Sequence, residues 1–473
     1  MKKPVQPGLF ARLISEALSL KNSNYQEPKM TFKGLLCVSV LFIVTSAQIY
    51  DPGESSDPNE HNDNKLTSGI NELGFQLTKQ LMKSNGNEKN VVLSPASISG
   101  LLAMTLLGSV GEAYDELAQA LQFSKDIKLN RNTHEQFGEL LRALNSDNAS
   151  SKTLYADVIF ADKSSKLREA YREYLKRVYN GDAIGLDFKD QQTAKDTINE
   201  WVKENTQGKI TNFLKDSLPV STKVVLLSAL YFSGQWKHPF LVEYTQKLPF
   251  NAPLEKMVMV DQMLNIGSFP YLSSYTDDLL MVALPYNDSM TTMYAIKPRR
   301  PRKMTLPDLL DKLDYYKIDE LINRLSDKKC VIRFPKMDLQ KTEKLEDSLK
   351  ALGIKSIFTP GQANFALMID SNSVENKTET KLLSRINTDD EETSRSFKEM
   401  VNGLPNPGVF VDTILHDVKI TIDEYGTEAV AASGGILART AEQFYADSPF
   451  YLFVRNERTK LVTFSAVVFD PTS

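Results

Sequence analysis

Cysteine and histidine are almost missing from this chain. Its 473 residues include two cysteines, Cys37 and Cys330, and four histidines, His61, His134, His238 and His416. No CxxC or HExxH spacing joins them, so neither a structural nor a catalytic metal site is expected. If Cys37 is lost with a processed N-terminal segment, Cys330 is alone and no internal disulfide can form. An excess of one charge is also lacking: Lys+Arg 56 stand against Asp+Glu 60, a formal net charge of −4. That excludes the basic surplus of a nucleic-acid binder. No apolar run reaches the roughly 20 residues of a membrane span, and there is no internal repeat. Hydrophobic residues at 41% and charged residues at 25% exclude a wholly disordered, collagen-like or coiled-coil chain. Length alone would suggest two or three domains.

What is present begins with an export signal. Gly34 to Tyr50 carry no charge, and Leu35 to Val44 are nearly all apolar. Lys33 precedes the run, and Thr45-Ser46-Ala47 puts small residues at the cleavage-determining positions, the pattern of a secretory signal peptide. The expected organisation is an upstream extension at 1–29, a signal peptide at 30–47, an acidic linker at 48–65 and one domain at 66–473. Translation from Met1 and from Met30 both stay open. Three N-x-S/T sequons, at Asn148, Asn287 and Asn376, point to a secreted, extracellular glycoprotein.

Along the domain, Ile70, Leu73, Leu77 and Leu81 share one face of a helix over 66–83. Val91-Val92-Leu93 reads as a short strand. Ser94 then Pro95 is a helix start, a capping hydroxyl followed by a residue suited to the first turn. The helix it opens, 96–107, is apolar nearly all round and should lie buried, with Gly108 closing it. Further helices are expected at 134–144 and 193–206, the latter closed by Gly208. Strands are expected at 154–160, 223–232 (apolar throughout, so buried on both faces), 279–285, 331–339, 410–422 and 450–469. Helices dominate the first half and strands the second, which argues an α+β fold built as one large unit. The segment 370–407 is polar and acidic and should be a surface insertion.

These residues, in this order, resemble the serpin family of serine-protease inhibitors over about 66–471. Asn90 to Ile98 looks like the family's entry to a central helix. Ile198-Asn-Glu-Trp-Val202 with Thr206-Gln-Gly-Lys-Ile210, Leu230 to Trp236 with Phe240, Leu284-Pro-Tyr286, Phe334-Pro-Lys336, His416 to Ala432 and Phe464 to Pro471 look like its further marks. Ser228 stands where the family usually has Asn, Ala466 where it often has Gly, and the stretch between Asn364 and His416 is longer than usual. The resemblance implies helices packed around three β-sheets with an exposed C-terminal reactive-centre loop, 426–448. It also implies a suicide substrate rather than an enzyme. A protease cuts the loop and forms an acyl-enzyme. The cut loop then enters the main sheet as an extra strand, and the protease is trapped in a covalent complex. No cofactor, metal or membrane partner is implied, and a monomer is expected.

Insertion makes a demand that the residues can be checked against. Side chains alternate across a strand. After Glu424, Tyr425 and Gly426, one face carries Thr427, Ala429, Ala431 and Ser433; the other carries Glu428, Val430 and Ala432. The first face is small and uncharged, so it can enter a packed core without overpacking. Gly426 supplies a hinge, and no proline interrupts the ladder before Pro449. Arg439 is the only basic residue between Lys419 and Arg455, and a trypsin-like protease pairs arginine with an acidic pocket. Arg439–Thr440 is therefore the preferred scissile bond. The family's usual spacing from Glu424 points instead to Thr440–Ala441, which would suit an elastase-like enzyme.

The resemblance also gathers Ser94, Ser97, Ser228 and His416 in a hydrogen-bonded shutter beneath the sheet, with Ser228 shorter than Asn and a water completing the network. A hydrolase triad from these residues is disfavoured, because no G-x-S-x-G elbow exists. The basic run Arg299-Arg300-Pro301-Arg302-Lys303 reads as a solvated loop. The helix at 134–144 carries only Arg142, so polyanion binding is not expected. The competing reading is a non-inhibitory serpin with a carrier, chaperone or storage role; bulky or charged residues on the inserting face would favour it, and none is present.

Overall fold

The computed structural model describes residues 65–127, 130–147, 150–370, 399, 401–425 and 441–473. Its first helix, α1 (Lys65–Ser84), buries the expected stripe of Ile70, Leu77 and Leu81. Ser94 caps α2 (Pro95–Gly108): its hydroxyl accepts the N–H of Ser97 at 3.2 Å. Every residue of α2 except Leu107 is buried, as a helix without a polar face requires. Gly108 does not end this helix by a left-handed turn; Ser109 ends it in extended geometry. Glycine is needed there for space, since a Cβ would lie 2.8 Å from the Met368 Cβ. Gly208, by contrast, sits at φ +74° after α6 and closes it as expected.

The other helices are α3 (Glu112–Ala120), α4 (Asn130–Arg142), α5 (Glu169–Tyr179), α6 (Gln191–Asn205), α7 (Leu306–Asp311), α8 (Tyr315–Asn323) and α9 (Glu346–Ala351). They surround three sheets. The main sheet has strands β2 (Ser146–Asp147), β3 (Ser151–Asp162), β5 (Asp182–Leu186), β6 (Val224–Gly234), β12 (Met337–Lys344) and β14 (Val411–Ile422), in the order β12-β14-β6-β3-β2 with β5 alongside β3.

The second sheet runs β1 (Val91–Leu93), β17 (Val462–Val468), β16 (Phe450–Asn456), β10 (Thr291–Pro298), β9 (Leu279–Pro285), β8 (Met257–Ser274), β11 (Ser326–Pro335) and β15 (Glu442–Tyr445), with β7 (Leu241–Asn251) also on β8. The third pairs β4 (Lys166–Leu167) with β13 (Ile369–Asp370). This is the α+β architecture of helices around three sheets that the sequence implies.

Three sequence expectations are corrected. The run 331–339 is two strands: β11 ends at Pro335, which has no N–H to continue a ladder, and β12 starts in the other sheet. The run 450–469 is a hairpin, its turn held by the Asn456 Oδ1 accepting the N–H groups of Arg458 and Thr459. The stretch 370–407 is not all surface. Asp370 is in β13, Val401 and Leu404 are buried, and the Asn406 amide donates to the Ala363 carbonyl at 2.8 Å. Residues 371–398, with Asn376, lie outside the described residues.

β6 shows why a continuous apolar run becomes a central strand. Val224, Leu226 and Leu230 join the large core beneath the sheet, which includes α2. Val225, Leu227 and Ala229 face the other way and pack with Ile198 and Val202 of α6. Ser228, in phase with the first set, therefore points toward α2. Among the described residues no helix is long and apolar enough to cross a membrane, and no cluster of His, Cys, Asp or Glu could hold a metal ion. Cys330 is a buried free thiol, pushed up to about 12 by burial.

Candidate functional site

The site is the seam between β6 and β14. The two strands run parallel and pair from Val224↔Val411 to Phe232↔Ile420, with one irregularity near Thr413. β3 flanks β6 in antiparallel register, and β12 flanks β14. Asp157, Ser228 and His416 are direct neighbours across three strands, Asp157↔Ser228 and Ser228↔His416. Alternation turns all three toward the N-terminus of α2, where Ser94 and Ser97 wait.

The bonds there fall into two halves. On one side, the Ser97 hydroxyl donates to the Asp157 carboxylate at 2.8 Å and lies 2.7 Å from the Ser228 hydroxyl. On the other side, His416 Nε2 accepts the main-chain N–H of Ser94 at 2.8 Å. All five residues are buried. The Ser228 and His416 side chains are not hydrogen-bonded to each other among the described residues; the Ser228 main chain approaches the imidazole and partly offsets its burial. The sequence thus placed four members together, but it missed Asp157. That residue is what makes the cluster electrostatically unusual. Burial pushes its carboxyl up to about 7, only partly offset by hydrogen bonds from Ser97 and Ser228, and no cation pairs with it among the described residues. Burial drives the His416 imidazole down to about 3, so the ring is neutral. Its acceptor nitrogen is taken by a main-chain N–H rather than a serine hydroxyl, so it serves no serine as a base. That removes the geometric footing of a hydrolase triad.

The end of the seam is closed differently. Beyond Ile422 the chain continues through Asp423, Glu424 and Tyr425. Trp236, just after β6, donates its indole N–H to the Asp423 carbonyl at 2.8 Å and its main-chain N–H to the Tyr425 carbonyl at 3.1 Å. Its ring stacks on Tyr286 at 4.4 Å, and Gly234 is glycine because a Cβ would sit 2.6 Å from that tyrosine ring. The buried Glu424 carboxylate accepts from Thr245 at 2.9 Å and pairs with Lys336 at 2.7 Å. Burial raises the Glu424 carboxyl, but Lys336 and Thr245 outweigh it and hold it below its ordinary value. Trp236, Phe240, Tyr286 and Lys336 were legible only as family marks; their joint role at this corner was not.

The chain leaves this corner at Tyr425 and is next described at Ala441. From there β15 pairs parallel to β11 through Cys330↔Glu442 to Arg333↔Tyr445. Gly426, Thr427, Glu428, Ala429, Val430, Ala431, Ala432, Arg439 and Thr440 lie between, outside the described residues, as do Asn148 and the signal segment. Asn287 is half-buried in the turn before β10 and approaches Ser150 at 3.4 Å.

Comparison with known proteins gives the family and the fold. The family model described as serpin (serine protease inhibitor) matches residues 68–471. The chain belongs to the serpin family. It is 29% identical to the Drosophila melanogaster protein named serine protease inhibitor 28Dc over 81% of this chain and 76% of that one. It is equally similar, at 29%, to a Xenopus tropicalis leukocyte elastase inhibitor over 84% and 97% of the two chains. In fold it is similar to native protease nexin-1 crystallised with heparin (TM-score 0.70, 24% identity, 86% of this chain and 99% of that one) and to uncleaved ovalbumin (TM-score 0.72, 23% identity, 86% and 100%).

Proposed function

We propose that this serpin is a secreted inhibitor of trypsin-like serine endopeptidases, working outside the cell as a suicide substrate. The observation that carries the reading is the meeting of two features at one place. The β6–β14 seam is buried on both faces through its middle, Val224 to Leu230 against Ile414 to Val418, and the segment with a small, uncharged alternate face follows within a few residues of the end of β14. A strand that turns back from β14 must run antiparallel to it, and hence antiparallel to β6, so it can pair with both once they part. Thr427, Ala429, Ala431 and Ser433 would then face the α2 side or its opposite as one set, and Glu428 the other.

The chemistry is ordinary acyl transfer arrested midway. The protease serine oxygen bonds to the Arg439 carbonyl carbon, the bond to the Thr440 nitrogen breaks, and that nitrogen leaves as an amine carrying the transferred proton. Loop insertion then competes with hydrolysis of the ester. The test is incubation with a panel of secreted proteases followed by a denaturing gel. A stable covalent complex with a trypsin-like enzyme and a released peptide beginning at Thr440 are expected. A peptide beginning at Ala441 would move the bond, and cleavage without any complex would favour the carrier reading.

A further inference from the structure

The basic run at 299–303 is not simply a solvated loop. It walls one side of a groove of about 1040 Å³, whose other walls are the β7–β8 turn and the chain following β15. Such a volume is at the upper end of small-molecule sites, which run to about 1,000 Å³. The cations along it divide sharply. Arg300 forks onto Asp278 with two contacts of 2.9 Å, and Arg299 lies over the Tyr275 ring, 3.7 Å from its centroid, and near the same aspartate. Lys297, nearly buried in the groove wall, pairs with Asp447 at 2.6 Å. Arg302 and Lys303 are exposed, and their side chains make no ion pair or hydrogen bond with any described residue; Lys303 reaches Asp278 only at longer range. Asp308, on the same wall, turns its carboxylate back to cap α7 through Thr305.

The opposite wall is apolar where a turn should be polar. Leu254 and Glu255 hold the two central positions of the β7–β8 turn at φ +58° each. Such a turn favours Asn-Gly, and a leucine there is strained. Leu254 is nonetheless 79% exposed and borders the groove, which also holds Met304 and the Phe469 edge. A strained backbone that presents an exposed leucine opposite two uncommitted cations has no use in holding the fold.

We propose that this groove is a binding site for a small amphipathic organic acid, its apolar body against Leu254 and Met304 and its carboxylate or sulfonate on Arg302 and Lys303. The site stands whether or not the protein inhibits a protease. The probe is anilinonaphthalene sulfonate, titrated into the full chain and displaced with decanoate. Arg302→Glu with Lys303→Glu should weaken the site about tenfold, since two charge-assisted bonds are lost. Leu254→Asn suits the turn, so it should fold at least as well as wild type while weakening the probe about threefold through lost apolar contact. Lys203→Glu with Lys209→Glu, exposed on and just after α6, which packs on the main sheet and lines no part of the groove, should change nothing. Wild-type affinity in both groove variants overturns the proposal. So does an equal loss in the remote variant, which would reduce the effect to bulk charge. Displacement by inorganic phosphate or by a sulfated oligosaccharide as readily as by decanoate also overturns it, because the site would then recognise charge alone.

Discussion

Asp157 and Glu424 are both carboxylates taken out of water along one sheet, yet the protein treats them oppositely. Glu424, at the end where the seam opens onto the loop, has a cation at 2.7 Å and a hydroxyl at 2.9 Å. Asp157, beneath the middle of the same sheet, has hydroxyl partners and no cation among the described residues. The first is held ionised and ties Lys336 to the exit of β14. The second is held near neutrality. The difference shows a seam fastened at its end and left electrostatically tense beneath its centre. The seam is held across its middle by the main-chain ladder rather than by a bond between the Ser228 and His416 side chains.

The largest expected effect comes from the strand that would pass between these two regions. Thr427 opens the small face. Thr427→Arg should carry an unpaired charge into the core on insertion, where burial costs several kcal/mol. The loop-out state would hardly change. The variant should become a substrate, cut at the same bond while the protease stays active, read as cleaved chain without covalent complex. Glu428→Arg, on the opposite face, should do much less. Equal inhibition by both would show that insertion is not the mechanism.

Next is the fastened end. Lys336→Ala leaves Glu424 buried without its cation. Breaking a fully buried pair costs about 3–5 kcal/mol; Lys336 is half exposed, so about 2 kcal/mol is expected here, read as a fall in melting temperature. Lys336→Arg should restore most of it. An unchanged melting temperature in Lys336→Ala would mean that the pair fastens nothing.

The tense centre should show in pH. A carboxyl raised to about 7 in the fold, against 3.8 when unfolded, binds more protons folded than unfolded between those values. The Asp157 contribution to stability therefore rises as pH falls from about 7 toward 4, by an amount on the order of a few kcal/mol at most. Glu424, lowered in the fold, contributes above its ordinary value near 4.5 and loses that contribution only on further acidification. Between about pH 8 and 5 the buried, neutral His134 and His416 act in the opposite sense, losing stability as pH falls, because they take up protons only in the unfolded chain; the Asp157 effect is therefore read as the difference between wild type and Asp157→Asn. Asp157→Asn should raise the melting temperature at the alkaline end of that window and leave it nearly unchanged at the acid end. Equal effects at both ends would mean that the carboxyl does not titrate there.

Ser94, Ser97, Ser228 and His416 could be gathered from sequence because each carries a local or family signal: a cap before proline, an apolar run, a strand before the loop. Asp157 carries none. A lone aspartate in an alternating strand reads as its wet face, and only the pairing of β3 with β6 over α2 puts it in the core. The corner made by Trp236, Tyr286, Glu424 and Lys336 was invisible for a similar reason: its members come from four separate stretches of chain. The polar stretch 370–407 misled in the reverse sense. Two apolar residues three apart, Val401 and Leu404, were outvoted by their neighbours, yet both are buried.

That last point gives the smallest expected effect. Residues 372–397 lie between the described anchors of the stretch. Asp370 pairs through β13 with Lys166, and Asn402 accepts the N–H of Gly111. Replacing 372–397 with a short Gly-Ser linker removes polar sequence and one sequon, and loop length enters stability only logarithmically, about 0.6 kcal/mol per doubling. The melting temperature should stay within a degree or two. Extending the deletion through Leu404 should cost far more, because two buried side chains go with it, each contributing about 1.5–3 kcal/mol. If the shorter deletion is as damaging as the longer, residues 372–397 bear on the folded body directly, and the boundary drawn at Val401 is in the wrong place.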